Sequence, residues 1–298
     1  MKVLVLGGTR FFGVETVRRL IADGHEVTLA TRGLTPDTFG NDVLRIKFDH
    51  LDKESVCAAL GGKYYDAVVD KIAFSSNDVK RILDAVECKK YVLMSTSGVY
   101  PPCGTDIKET AFDPLAHSLK WGERDWSRYG HPGIFDYDEG KKQAEAALAQ
   151  AYPHINGIML RYSVVIGEND YTKRLLFYVE HVLYGTSMYI SNPDTKICFY
   201  DEKGAGGLIA DVLKTDITGP FNACCDGCVS LSEITAYIEK KTGKRAVLDK
   251  DGDPAPYNGF TGDYTLCTQK AKDAGLHFVD INDRLWELLD KYIYSLKK

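Results

Sequence analysis

The sequence predicts an α/β fold, a doubly wound parallel sheet followed by a second, smaller C-terminal domain. Short apolar runs alternate with amphipathic segments through the first hundred residues, giving five strand-like runs before residue 97. A glycine-rich turn joins the first strand-like run to the first helical one. No repeat or low-complexity stretch interrupts the alternation.

Lys2-Val3-Leu4-Val5-Leu6 is too short for a buried helix and ends in glycine, so it reads as a buried parallel strand. Gly7-Gly8-Thr9-Arg10-Phe11-Phe12-Gly13 then turns the chain. From Val14 the apolar residues Val14, Val17, Leu20 and Ile21 recur at helical spacing. This order sets unpaired helix N–H groups beside backbone with few Cβ atoms, which is a site for a pyrophosphate. Gly7, Gly8, Thr9, Arg10, Phe11, Phe12 and Gly13 are therefore the first cofactor-binding candidates. Their spacing differs from the usual G-x-G-x-x-G.

The second strand, His25–Ala30, leads to Thr31-Arg32-Gly33, where an NAD-preferring enzyme carries an acid for the ribose 2′-hydroxyl. Arg32 stands there instead, and with Arg10 it favours NADP over NAD. The third strand, 43–48, leads to Asp49, which is placed either to accept from an adenine amino group or to cap the helix 53–60. A strand at 66–70, a helix at 77–86 and a strand at 90–94 complete the unit.

That last strand runs into Ser95-Thr96-Ser97-Gly98-Val99-Tyr100, hydroxyls at the end where parallel sheets bind ligands. Tyr137 opens a predicted helix to Ala151, and Lys141 lies one turn on, so both face the same way. An ammonium near a phenol favours the phenolate. Tyr137 is then equipped to carry a proton at a carbinol or carbonyl oxygen while hydride moves to or from a nicotinamide, with Thr96 bonding the same oxygen. Lys141 would also donate to the nicotinamide ribose. Tyr237/Lys241 and Tyr294/Lys298 share the spacing on what read as surface helices, so placement after the hydroxyl-rich strand end singles out Tyr137.

The glycine turn, Thr96–Tyr100, Tyr137/Lys141 with Glu145, and Leu160-Arg161-Tyr162 followed by Gly167 resemble the extended short-chain dehydrogenases/reductases. That is the NAD(P)-dependent epimerase/dehydratase group, here in an atypical Gly-Gly-Thr-Arg-Phe form shared with chloroplast stem-loop RNA-binding proteins. Pro220-Phe221-Asn222-Ala223 and Ser230-Leu231-Ser232-Glu233 resemble that group's late strand and helix start. The resemblance implies a Rossmann-like NAD(P)-binding domain over 1–165, to which a segment near 197–226 returns, and a substrate domain over 166–298. It also implies a homodimer. Ser97-Gly98 replace the Asp-Glu of the group's dehydratases, which disfavours elimination of water. The short link from Asp70 leaves Asn77 as the candidate for the group's catalytic asparagine.

The chain has 298 residues and a net charge of −5, which argues against nucleic acid as a partner. No apolar run reaches membrane-span length. With no signal peptide, the eight cysteines are expected to be reduced thiols of a cytoplasmic protein. Cys224, Cys225 and Cys228 lack the second cluster that a metal site needs, so no metal is expected. The irregular stretch Pro101–Phe135 is expected as a wall or lid, with His117 and His131 as loop packing.

The expected function is an NAD(P)-dependent oxidoreductase or epimerase acting on a secondary alcohol/ketone carbon, in a nucleotide sugar or related small molecule. An NADP-dependent ketone reductase and a non-catalytic RNA-binding or regulatory member of the fold are the alternatives. Arg161 is open between a substrate-side charge and a strand-end ion pair.

Overall fold

The computed structural model of the chain describes residues 1–297. Seven parallel strands form its main sheet. They include β1 (Lys2–Leu6), β2 (Glu26–Thr31), β3 (Val43–Lys47), β4 (Lys63–Asp70) and β5 (Val86–Thr96). The strands Asn156–Tyr162 and Gly219–Ala223 extend the sheet beyond β5. The order reverses at β1, with β2 and β3 on one side and β4, β5 and the two late strands on the other. Ligands bind such sheets at the carboxyl ends beside that switch.

The helices α1 (Phe12–Ala22), α2 (Lys53–Leu60), α3 (Ser76–Leu83) and α4 (Tyr137–Ala151) connect the strands. Val3, Val5, Val17 and Leu20 are buried in a core that continues into the C-terminal half, while Leu4, Leu6, Val79 and Ile82 are buried in a second core on the opposite face. The helix Glu202–Val212 packs on α1.

Element ends depart from the sequence expectation where tertiary pairing overrides local pattern. The fifth strand begins at Val86 because β4 offers a partner from Lys63 onward. Ser75, whose hydroxyl accepts from the Asp78 N–H, starts α3 before Asn77. Asp52, not Asp49, caps α2, its carboxylate accepting from the Glu54 and Ser55 N–H groups.

A four-stranded sheet joins the strand Gly104–Ile107 to Tyr264–Leu266, Lys196–Ile197 and Val229–Ser230. The segment after Pro101 thus pairs with the C-terminal half. Ser230 and Glu233 cap the helix Leu231–Thr242 reciprocally. Tyr237 and Lys241 on that helix both donate to Asp290 of the helix Asn282–Leu296, a packing role. Tyr294 lies on that last helix, and Lys298 lies outside the described residues. Among the described residues no helix is long and apolar enough to cross a membrane.

Candidate active site

The glycine turn is shaped by close approach. Gly8 has φ of 111°, a conformation that a side chain resists. A Cβ on Gly13 would lie 2.8 Å from the Gly8 Cα and 2.8 Å from the Lys71 Cε. No side chain caps α1; the Gly13 and Val14 N–H groups donate to the Arg10 and Phe11 carbonyls of the turn itself. Gly7, Gly8, Thr9, Arg10, Phe11 and Phe12 line a cleft of about 630 Å³. Gly13 lies directly behind them.

Arg32, Thr35, Phe48 and His50 line the same cleft. Arg10 donates from Nε to the Thr35 hydroxyl at 3.0 Å, which holds it beside Arg32. Asp49 turns its carboxylate onto the Leu51 N–H at 3.1 Å and does not line the cleft. Its neighbour His50 does, and the buried Nε2 of that ring has no hydrogen-bond partner among the described residues. The helix start without a side-chain cap, the close glycines and the volume of the cleft fit a dinucleotide.

At the other end β4 finishes in Asp70, whose carboxylate accepts from the Ile72 and Ala73 N–H groups at 2.8 Å and from the Tyr91 hydroxyl. This turn brings Ala73 and Phe74 against α4. A Cβ on Gly140 would sit 2.3 Å from the Phe74 carbonyl oxygen, so glycine one residue before Lys141 permits the approach. Lys141 is buried and donates from Nζ to the carbonyls of Ala73 and Met94, each at 2.7 Å. Burial draws its pKa down to about 8.

Asp136 caps α4 and so places Tyr137 in the first turn. The ring of Tyr137 is 39% exposed, but its hydroxyl end is desolvated. That desolvation holds the phenol above its usual range, opposed by a hydrogen bond with Thr96 and the charge of Arg124. Thr96 stands at the carboxyl end of β5 and also accepts from the Gly98 N–H at 3.1 Å. The structure therefore brings the Tyr137 phenol near Thr96. The cation over its ring is Arg124 rather than Lys141, with the guanidinium carbon 4.8 Å from the ring centroid.

Arg124 also stacks on Trp126 at 3.8 Å and Phe74 at 4.9 Å. Trp126, Tyr129 and His131 line the cleft, so part of the 101–135 segment forms its wall. His117 bonds Glu139 and Gln143 and packs away from it. Arg124 and Lys71 escaped the sequence reading because nothing local marks them; loop folding brings one to the phenol and the end of β4 brings the other to the glycine turn.

Two open residues take structural parts. Arg161 is fully buried and pairs with Glu145, with Nη2 to Oε2 at 2.6 Å, and it bonds Tyr100 and two backbone carbonyls. Asn77 donates to Glu123 at 2.9 Å, in a network with Arg81. A side chain at Gly98 would begin 2.2 Å from the Asp138 Oδ1, so that carboxylate fills the room where the group's dehydratases carry an acid.

All eight cysteines are free; Cys224 and Cys225 are buried and Cys228 is half-buried. Among the described residues no group of three or more His, Cys, Asp or Glu side chains is placed to hold a metal.

Residues 3–122 match the NAD dependent epimerase/dehydratase family. The chain is 33% identical over 133 residues to the chloroplast stem-loop binding protein of 41 kDa b of Arabidopsis thaliana, covering 38% of this chain and 34% of that protein. It is 29% identical over 119 residues to 2'-dehydrokanamycin reductase of Streptomyces kanamyceticus, covering 39% of this chain and 34% of that protein. The chain thus matches about a third of the length of these two relatives.

Solved structures share the fold over the whole length. UDP-glucose 4-epimerase of Thermotoga maritima, solved with UDP-glucose, superposes with a TM-score of 0.74 at 17% identity, covering 99% of this chain and 100% of that one. UDP-glucuronic acid 4-epimerase of Bacillus cereus, in complex with UDP-glucuronic acid and NAD, gives 0.72 at 16% identity, covering 99% and 100%. By its glycine turn, its parallel sheet and the match over residues 3–122, the N-terminal part of this chain is similar to the NAD dependent epimerase/dehydratase family, and the whole chain shares the fold of the solved epimerases.

Proposed function

We propose that this chain transfers hydride at a secondary alcohol or ketone carbon of a nucleotide sugar or related small molecule, with NAD(P) in the cleft and Tyr137 carrying the proton. The observation that supports it most is the Tyr137 phenol near Thr96 at the carboxyl end of β5, under the Arg124 guanidinium, with Lys141 buried one helical turn on. The cofactor, when bound, supplies or accepts the hydride. Desolvation keeps the phenol protonated, so it is ready to give its proton to a carbonyl oxygen. The Thr96 hydroxyl orients that oxygen, and Arg124 steadies the phenolate left behind. Lys141, mostly protonated at neutral pH, is held between two carbonyls and would be the donor to the nicotinamide ribose.

Arg10 and Arg32, with no acid between them and the cleft, favour the 2′-phosphate of NADP. The division into a cofactor domain over 1–165 and a substrate domain over 166–298, a cytoplasmic location and a homodimer belong to the same proposal.

The test is Tyr137→Phe, assayed by nicotinamide absorbance on small ketones and by chromatographic separation of the epimeric products on UDP-sugars. Turnover should fall by about 100- to 10,000-fold with the dinucleotide Kd unchanged. Wild-type turnover in the variant removes the mechanism. The 33% identity to a stem-loop binding protein favours a second reading, RNA binding on the same fold. Salt-dependent binding of a stem-loop RNA, retained in Tyr137→Phe and without turnover in the wild type, would establish that reading instead.

A further inference from the structure

Among the described residues three basic side chains are buried: Lys71, Lys141 and Arg161. Arg161 is met by the carboxylate of Glu145, and Lys141 by two carbonyl oxygens. Lys71 differs. It follows directly on β4, is 8% exposed and lines the cleft. Its Nζ lies 3.5 Å from the centroid of the Phe12 ring and 3.6 Å from the Met94 Sδ, and among the described residues no oxygen accepts from it. An ammonium kept from water by a ring and a thioether costs stability, whereas a methionine of similar length would pack there at none.

The place of this cation explains its retention. Its stem passes the last glycine of the turn, where a Gly13 Cβ would lie 2.8 Å from the Lys71 Cε. The uncapped N-terminus of α1 opens in the same corner. We propose that Lys71 is the ligand of the cofactor's pyrophosphate, a charge the fold leaves without an acceptor until that diphosphate enters. Three N–H donors on a compact ammonium suit bridging phosphate oxygens, and the exclusion of water strengthens the contact.

Burial, and then the charge of Lys141 on α4, hold the Lys71 amine well below the usual lysine range. Asp70, its neighbour in sequence, is turned onto Tyr91 and its own turn. The other charged or titratable groups lining the cleft are Arg10, Arg32, His50, Tyr129, His131 and Tyr171. Lys71 therefore holds its proton less firmly without ligand, and the charge of a bound diphosphate strengthens that hold.

This inference rests on the nucleotide-binding reading. Calorimetric titration of the full chain with NADP, NAD and ADP-ribose, in two buffers of different protonation enthalpy, tests it against Lys71→Met. The variant should bind about 10- to 100-fold more weakly, lose the proton uptake, and melt without ligand at or above the wild-type temperature. Equal affinity or equal proton uptake in the two proteins overturns the assignment. So does a variant whose melting temperature falls together with its affinity, because that marks a structural lysine. A wild type that binds none of the three ligands refutes the nucleotide reading itself, which the other outcomes leave standing.

Discussion

Burial brings the Lys141 ammonium down to about 8 from an ordinary 10.5. Between those values the unfolded chain keeps a proton that the folded chain has released, so this residue makes stability rise with pH through that window and contributes no slope below it. In Lys141→Met that slope is lost. Urea unfolding of wild type and variant at about pH 7.5 and about pH 10 checks this, and parallel stabilities at the two pH values count against it. Residue identity was legible only where spacing and order coincided. Tyr137/Lys141 and Tyr237/Lys241 have the same pattern, yet the first adjoins Thr96 and the second clamps Asp290. Arg161 was undecidable from sequence because only its surroundings distinguish an ion pair from a substrate contact.

The helix α4 spans Tyr137–Ala151, the range its amphipathic pattern predicts, and a cap, a glycine and an ion pair set its position. Asp136 starts it, Gly140 lets it approach Phe74, and Glu145 ties it to Arg161 and Ser95. Glu145→Ala leaves a guanidinium buried without its countercharge. The expected loss is about 3–5 kcal/mol of unfolding free energy by chemical denaturation, with no specific effect on dinucleotide affinity in the fraction that stays folded. A loss below about 1 kcal/mol would mean that the carbonyl and Tyr100 contacts suffice. The ends of β5 and α3 were harder to place, since β4 extends one and Ser75 starts the other.

Across the whole molecule, the parallel sheet, the strand Gly219–Ala223 joining it and the cleft at its switch point form one frame. An epimerase on this frame oxidises and re-reduces the same carbon, so it keeps its cofactor through the cycle, whereas a reductase must exchange it. Native mass measured on the purified chain separates the two: retained dinucleotide indicates epimerisation, and a bare chain that binds NADP on addition indicates reduction. In the second case, NADP at about 100 times its Kd should stabilise the fold by about 2.7 kcal/mol in a thermal or denaturant melt. Failure of NAD and of NADP to shift the melt of a chain purified without dinucleotide would contradict both.

The alternation of short apolar runs and amphipathic helices specified the sheet, and the glycines specified the turn, because period and Cβ sterics act within a few residues of chain. The partners of Tyr137, the pairing of Arg161 and the isolation of Lys71 arise between segments more than ten and up to 61 residues apart. Burial and dielectric exist only once those segments have packed, and it is they that set which charges are matched and which wait for a ligand.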